Sequence, residues 1–195
     1  MSIYCLMGKS ATGKDTVYKL LLSEKKLKFI PIIPATTRPV RSNEKDGVDY
    51  RFFTDEEFER FKDRGKVVEY RTYNTIHGMW NYFTLADDEI RPKERDYLYI
   101  GTLEAYLGLR EYYGGENVSP IYLYVADDGE RLQRALSRER EMKEPKYAEM
   151  CRRFLGDEED FSQENIDRAG ILTENKFEND DAMLTAKRIS EWISG

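Results

Sequence analysis

The sequence predicts an α/β fold in which helices flank a parallel sheet, and three observations lead to this prediction. Short apolar runs alternate with amphipathic helical patterns, as they do in strand–helix–strand units. A glycine-rich stretch at residues 8–13 joins the first apolar run directly to the first helical pattern. Residues 36–85 consist mostly of short β-like runs, which indicates a small β-rich insertion. A chain of 195 residues is long enough for one domain of this kind.

The first half of the chain contains most of the predicted strands. SIYCLM is a short apolar run that ends in glycine, and KDTVYKLLLSE has apolar residues at helical spacing, so the two predict a strand and a helix. LKFIPIIPA predicts a second strand, and its two prolines argue for an edge position or an early end of the strand. In the insertion, DYRFFT, KVVEYRTY and MWNYFT predict strands, and DEEFERFKDRG predicts a helix that ends at Gly65.

The second half continues the alternation of strands and helices. DYLYIG and PIYLYVAD predict strands, each followed by a helix, TLEAYLGLREYYGG and DGERLQRALSRERE, the second with a basic face. The stretch 141–165 is highly charged and lacks apolar periodicity, so we expect it to be mobile. AGILTEN, residues 169–175, predicts a last strand, and DDAMLTAKRISEWIS predicts a closing amphipathic helix.

Composition limits the partners of the protein. A net charge of −6 argues against a nucleic-acid partner, which would require clustered positive charge, but a small phosphate ligand needs only a few cations. Cys5 and Cys151 are far apart in sequence and fit a reduced compartment. The N-terminus predicts a strand and not a signal peptide, and no apolar run approaches the ~20 residues that span a bilayer. We therefore expect a cytoplasmic protein with no membrane partner, and its oligomeric state is left open.

The stretch GKSATGKDT predicts a phosphate-binding loop. It fits the pattern G-x-x-x-x-G-K-[ST] at Gly8, Gly13 and Lys14, but Asp15 takes the place of the hydroxyl residue. Backbone N–H groups and the helix dipole would hold the phosphates, and the lysine would reach the outer ones. The alternative, a glycine turn that only caps a helix, is less favoured by the spacing. The predicted phosphate-binding residues are Gly8, Ser10, Ala11, Thr12, Gly13, Lys14, Asp15 and Thr16.

Asp15 and Thr16 are the candidate metal ligands. A carboxylate is a harder ligand for Mg²⁺ than a hydroxyl, and Thr16 supplies a hydroxyl one position later than the pattern. The alternative for Asp15 is a stabilising charge at the helix N-terminus.

A second anion site is predicted by TTRPVRSNEKDGVDYRFF. Arg38 and Arg41 stand three residues apart around Pro39, so their guanidiniums could converge on one phosphate, to which Tyr50 could donate a hydroxyl. Glu69 interrupts an apolar strand and could accept hydrogen bonds from two adjacent N–H groups of a base, such as guanine N1 and N2. Each residue alone could be a solvated surface group, but together they favour a nucleotide site.

The sequence resembles the guanylate kinase family in the order of its motifs, which are G-x-x-x-x-G-K, T-T-R-x-x-R, E-x-x-G-x-D-Y, the acid after a hydrophobic pair and H-G. The resemblance implies a P-loop core formed by residues 1–35 and 86–195, a GMP-binding subdomain at 36–85 and a helical lid at about 138–160. The loop would bind ATP, and Glu69 would read the guanine edge. The other implied substrate-binding residues are Thr37, Arg38, Arg41, Tyr50, Tyr82 and Thr84.

The activity implied by the resemblance is Mg²⁺-dependent transfer of a phosphoryl group from ATP to GMP, with catalytic residues Lys14, Arg41, Arg134, Arg138 and Arg153. No general base is required, because the second pKa of the acceptor phosphate is ~6. His77 is therefore expected to be a turn or packing residue. Two alternatives stay open: a kinase with a different or broader monophosphate acceptor, and a non-catalytic binding module.

The sequence departs from the family at the end of the DYLYIG strand. Members carry an L-D-I-D-type sequence there, and here Tyr99 and Gly101 replace both acids. Loss of the second acid puts guanine selectivity in doubt. Since Asp15 adds a carboxylate to the loop, we expect it to replace the lost charge near the metal.

Overall fold

The computed structural model describes residues 1–41, 44–75, 78–87 and 90–195. His77 lies outside the described residues, so its assignment stays a prediction. The strands are β1 (Ile3–Met7), β2 (Ile30–Ile32), β3 (Ala35–Thr36), β4 (Arg51–Phe52), β5 (Val67–Thr75), β6 (Gly78–Leu85), β7 (Tyr97–Ile100), β8 (Val118–Tyr124) and β9 (Lys176–Glu178). The helices are α1 (Lys14–Ser23), α2 (Asp55–Asp63), α3 (Leu103–Tyr113), α4 (Asp128–Arg140), α5 (Tyr147–Asp160), α6 (Gln163–Arg168) and α7 (Ala182–Ser194).

The main sheet is parallel and has five strands in the order β2-β7-β1-β8-β9. The edge position predicted for β2 from its prolines is confirmed. One face of the sheet packs against α3 and α6, through residues such as Leu109 and Ile166. The other face packs against α1 and α7, through residues such as Leu21 and Ile189. This is the predicted parallel sheet flanked by helices.

A second, four-stranded sheet has the order β4-β3-β6-β5, and β5 and β6 form a long antiparallel hairpin. Helix α2 covers this sheet, with Phe58 packed against Phe83 at a ring distance of 4.8 Å. Thr54 begins α2 with a capping box, and Gly65, at φ 62°, follows its end. The β-like runs of the insertion are therefore confirmed, while its boundaries at residues 36 and 85 stay a prediction.

One sequence expectation needs correction, and the mobility expected of the stretch 141–165 stays a prediction. The strand predicted at 169–175 is wrong: residues 173–175 form a short 3₁₀ turn, and the strand follows as β9. The Asn175 side chain accepts a hydrogen bond from the Leu172 backbone N–H, which favours the turn. The stretch 141–165 contains α5, although none of the residues of α5, all of which are described, is buried. Contacts between its charged side chains and the phosphate loop hold α5, and such contacts leave no apolar periodicity in the sequence.

Across the described residues, no helix combines the length and the apolar character that a membrane crossing requires.

Candidate nucleotide-binding site

The phosphate loop follows β1 and leads into α1, as predicted. Gly13 has a left-handed backbone with φ 86°, and a Cβ there would lie 2.4 Å from the amide nitrogen of Asn179. That amide donates to the Thr12 carbonyl at 2.6 Å. At Gly8 a Cβ would lie 2.2 Å from the Leu123 carbonyl oxygen. The two glycines of the motif are therefore required by close packing of the loop against the ends of β8 and β9.

Lys14 is held inside the loop, where its ammonium group donates to the carbonyls of Gly8 at 2.7 Å and Lys9 at 2.8 Å. Desolvation lowers the pKa of Lys14 to about 8, although the nearby carboxylates of Asp15 and Asp157 act in the opposite direction. The charges of Arg153 and Arg138 lower it further. The predicted lid arginines 138 and 153 are therefore close enough to act on the lysine electrostatically.

Carboxylates of α5 contact the phosphate loop directly. Asp157 accepts a hydrogen bond from the backbone N–H of Ser10 at 2.7 Å, and Glu158 accepts one from Lys9 at 2.5 Å. Both acids pair with the buried Arg131, whose guanidinium also lies 3.8 Å from the ring centre of Phe154. An N–H group of the predicted phosphate cradle thus binds a carboxylate of the protein itself.

The second anion site is built around Arg38, which is 3% exposed. Glu44 accepts two hydrogen bonds from its guanidinium, at 2.7 and 2.6 Å, and Tyr82 accepts one from its Nε at 3.0 Å. The guanidinium also lies 5.0 Å from the ring centre of Tyr50. Burial would lower the pKa of Arg38, but hydrogen bonding to Glu44 and the charges of Tyr82 and Glu44 raise it overall. The site holds a fixed cation in a bidentate contact with an oxyanion.

Two other predicted residues lie beside Arg38. Arg41 is exposed, and its backbone N–H donates to Glu44 at 3.0 Å. The Thr37 hydroxyl accepts from the backbone N–H of Asn81 at 3.0 Å, which ties this segment to β6. The structure therefore brings Thr37, Arg41, Tyr50 and Tyr82 together around one buried arginine.

Helix α5 lies within electrostatic range of both anion sites. The hydrogen bonds from Arg152 lower the pKa of Glu149 in its first turn, and the charges of Arg153 and Arg41 add to this effect. The other end of α5 contacts the phosphate loop, where Asp157 accepts from the Ser10 N–H. Arg134 on α4 donates to the Asn179 carbonyl at 3.1 Å and pairs with Glu130 at 2.5 Å.

We call the residues Glu69, Arg71, Thr84 and Tyr99 the base-end cluster. The Thr84 hydroxyl donates to Glu69 Oε1 at 2.7 Å, and the Tyr99 hydroxyl lies 3.0 Å from Thr84 Oγ1 and 3.4 Å from the same carboxylate oxygen. Burial raises the pKa of Tyr99, as does the charge of Glu69. Glu69 and Thr84, both among the predicted substrate-binding residues, are direct partners across β5 and β6.

Tyr99 and Gly101, which replace the two acids of the family pattern, pack directly against each other. A Cβ at Gly101 would lie 2.3 Å from Cε1 of the Tyr99 ring, so the tyrosine fills the space that a side chain at position 101 would need. Tyr99 also brings its hydroxyl to Glu69 at the base end. Whether Asp15 replaces the lost charge at the metal stays a prediction.

Three residues of the site were missed in the sequence. Arg71 follows Glu69 by two positions in β5 and so lies on the same face of the sheet. Asp157 was hidden in the charged stretch. Gly108 lies inside α3, where a Cβ would approach the Glu69 Cβ to 2.5 Å, so α3 packs directly on the stem of this glutamate. A glycine in a helix interior was the available signal for such a close approach.

Asp15 and Thr16 occupy the first turn of α1, and both are exposed. Among the described residues, no group of three or more His, Cys, Asp or Glu side chains could hold a metal by itself. Mg²⁺ is commonly held through one or two carboxylates together with phosphate oxygens and waters. One carboxylate and one hydroxyl at the mouth of a phosphate loop therefore fit a magnesium ion that arrives with its nucleotide.

Comparisons with known proteins agree with this geometry. Residues 1–100 match the family model described as guanylate kinase, which is just over half of the chain. Guanylate kinases of Brucella melitensis and Mycoplasmoides gallisepticum are 41% and 42% identical over 82 and 77 residues, or 42% and 39% of this chain. These alignments span only 36% and 40% of the relatives' own length.

A crystal structure of guanylate kinase from Anaplasma phagocytophilum superposes with a TM-score of 0.66 at 21% identity, covering 99% of this chain and 84% of that one. It shows the same fold. The sequence match ends at residue 100, so it includes the phosphate loop and the Arg38 site but not helices α4 and α5. On the family match, the chain belongs to the guanylate kinase family.

Proposed function

We propose that the protein is a nucleoside monophosphate kinase that transfers the γ-phosphoryl group of ATP to GMP. The observation that carries this proposal is a pair of anion-binding sites, a phosphate loop and a buried arginine, in one chain. At one site Asp157 of α5 accepts from the Ser10 N–H, and at the other Arg38 makes a bidentate contact with Glu44. A phosphate at each site would let a donor and an acceptor nucleotide meet through their phosphates.

The acceptor phosphate would bind at Arg38. Its guanidinium, fixed by Tyr82 and by the ring of Tyr50, presents a forked pair of donors. An incoming phosphate would take the place of the Glu44 carboxylate, which already contacts the backbone N–H of Arg41. The Arg41 side chain is exposed and would then be free to contact the same phosphate.

The ATP phosphates would lie on the phosphate loop, with the Lys14 ammonium on the outer ones. Arg138 and Arg153, whose charges already act on Lys14, would stabilise negative charge on the transferring group, and Arg134 would support them from α4. Mg²⁺, held by Asp15 and Thr16 together with phosphate oxygens, would neutralise further charge there. The attacking oxygen belongs to a phosphate that is mostly ionised at neutral pH, so positioning can replace a general base.

Closure of the lid would separate the reaction from water. Helix α5 already contacts the phosphate loop, and the charge of Arg41 acts on Glu149 in its first turn, so a small movement of the helix would exclude the water that otherwise hydrolyses ATP. This requirement explains why a segment without buried residues is held at the phosphate loop by charged contacts.

The test is an ADP-release assay with MgATP and each common nucleoside monophosphate in turn. We expect turnover with GMP, little ADP release without an acceptor, and loss of at least 100-fold in kcat/KM in Lys14→Ala, which removes the charge at the outer phosphates. A Lys19→Ala variant on the same helix is the matched control. Faster turnover with a pyrimidine nucleotide would instead favour the kinase with a different acceptor, and ATP binding without turnover would contradict the proposal.

A further inference from the structure

The base-end cluster contains a cation that guanine recognition by carboxylates does not need. Arg71 lies on the same face of β5 as Glu69, between the residue pairs Glu69–Thr84 and Tyr73–Trp80 of the hairpin. Its directly paired residue on β6 is Tyr82, the partner of Arg38. Arg71 therefore stands between the base end and the phosphate end of the predicted monophosphate site.

One oxygen of Glu69 is already occupied. Oε1 accepts from the Thr84 hydroxyl at 2.7 Å, and the Tyr99 hydroxyl lies 3.4 Å from the same oxygen. Thr84 has a single hydroxyl proton, which it donates to Glu69, and the Tyr99 hydroxyl lies 3.0 Å from Thr84 Oγ1. Both hydroxyl protons therefore serve contacts within the protein.

The other oxygen, Oε2, lies 3.4 Å from Nε of Arg71. In the part of the chain that the structure describes, both atoms are buried and neither has a hydrogen-bond partner. Nη1 of Arg71 is fixed by a 2.6 Å hydrogen bond to the Thr102 hydroxyl, so the guanidinium has a defined orientation. The two atoms form an ion pair but no hydrogen bond, and buried polar atoms without a hydrogen bond are rare unless a ligand completes them.

We propose that Arg71 and Glu69 together read the O6 and N1–H edge of a 6-oxopurine and that the 2-amino group of guanine is not read. This inference rests on the proposed monophosphate kinase function. The Arg71 N–H would donate to the carbonyl O6, and Glu69 Oε2 would accept from N1–H. Both hydrogen bonds would be charge-assisted. Adenine presents an amino donor to the Arg71 N–H and a ring-nitrogen acceptor to the Glu69 carboxylate, so neither hydrogen bond can form.

The 2-amino group lacks a carboxylate of its own. At position 101 there is no side chain, and the ring of Tyr99 fills the adjacent space. Glu69 Oε1 already accepts from Thr84. Hypoxanthine, which has O6 and N1–H but no 2-amino group, would satisfy the same two protein atoms as guanine. Arg71 is thus a specificity-determining residue for the 6-oxo group, and the substrate class is 6-oxopurine nucleoside monophosphates.

The experiment is calorimetric titration of the full chain, without ATP, with GMP, inosine monophosphate and AMP. We expect the dissociation constants of GMP and inosine monophosphate to agree within about threefold. AMP should bind at least tenfold more weakly, because adenine cannot form the charge-assisted hydrogen bonds to Arg71 and Glu69. In Arg71→Met, both 6-oxopurine nucleotides should lose about tenfold in affinity while AMP is unchanged. Equal weakening of all three nucleotides would indicate a structural role for Arg71 and would overturn the inference.

A second variant tests the strongest rival acceptor. Glu104, in the first turn of α3, lies within electrostatic range of both Arg71 and Glu69. If Glu104 accepted from the 2-amino group, GMP would bind at least tenfold more tightly than inosine monophosphate, and Glu104→Gln would abolish the difference; this result would overturn the inference.

The two proposals fail separately. Phosphorylation of GMP together with strong preference for GMP over inosine monophosphate would leave the proposed function intact and overturn this inference. Equal binding of the two nucleotides without any ADP release would support this inference and contradict the proposed function.

Discussion

The contact between the Asp157 carboxylate of α5 and the phosphate loop leads to a quantitative prediction. The carboxylate accepts from the Ser10 N–H at 2.7 Å, and an ATP phosphate that uses this N–H must displace it. Asp157→Asn keeps the shape of the side chain but removes its charge. A hydrogen bond to a charged group contributes ~1.5–3 kcal/mol and a neutral one ~0.5–1.5 kcal/mol, so the competing contact weakens by about 1–1.5 kcal/mol. ATP is then expected to bind about five- to tenfold more tightly.

The variant leaves the rest of the contact in place. Arg131 keeps its ion pairs with Asp128 and Glu158, so no buried charge loses all of its partners. The assay is calorimetric titration with MgATP at pH 7 and constant ionic strength. Glu159→Gln is the matched control, because it removes the same charge from an exposed position on the same helix. Refutation would be an Asp157→Asn protein that unfolds at the wild-type temperature and binds ATP no more tightly than this control.

Three further predictions concern the lysine, the helix glycine and the buried arginine. Because Lys14 loses its charge as pH rises through about 8, the KM for ATP should stay nearly constant below pH 7 and rise about tenfold between pH 7 and pH 9 in initial-rate measurements; a flat profile would contradict this. Gly108→Ala should cost ~1–3 kcal/mol in urea unfolding and raise the KM for GMP more than that for ATP, because its Cβ would meet the stem of Glu69; an unchanged KM for GMP would show that α3 does not position this residue. Arg38→Lys should weaken GMP binding by ~10- to 100-fold in calorimetry and leave ATP binding unchanged, since lysine cannot form the forked contact with Glu44 or a phosphate; equal losses for both nucleotides would argue against a separate acceptor site.

Much of the fold was accessible from the sequence because its signals are local. The strand, loop and helix around Gly8 and Lys14 follow from apolar runs and motif spacing, and the edge position of β2 follows from its prolines. The last strand was placed too early because apolar residues such as Ile171, which is buried in the core, were assigned to a strand, although the chain turns at Asn175 first.

The base-end cluster could be predicted only in part, because it depends on strand register. Glu69 was noticeable as an acid in an apolar strand, but its pairing with Thr84 includes a register shift between Val67 and Glu69. The role of Tyr99 could not be predicted because it depends on the space beside Gly101. The role of Arg71 could not be predicted because it depends on the positions of two buried atoms.

The contact between α5 and the phosphate loop was also beyond sequence reasoning. Ser10 and Asp157 are 147 residues apart, and the charged segment around Asp157 has no periodicity that would place it. Long-range ion pairs leave no local pattern, so the position of α5 against the phosphate loop had to come from the structure.

The central claim is that the Arg38 site and the phosphate loop belong to a single pocket in which two nucleotides meet through their phosphates. The most direct measurement is the affinity of an adenosine and a guanosine joined by five phosphates, titrated calorimetrically against the protein. Linking the two ligands makes the second contact intramolecular, so we predict one molecule bound per chain, at least ~100-fold more tightly than ATP or GMP alone. Binding no tighter than that of ATP, with GMP still able to bind at the same time, would contradict the account.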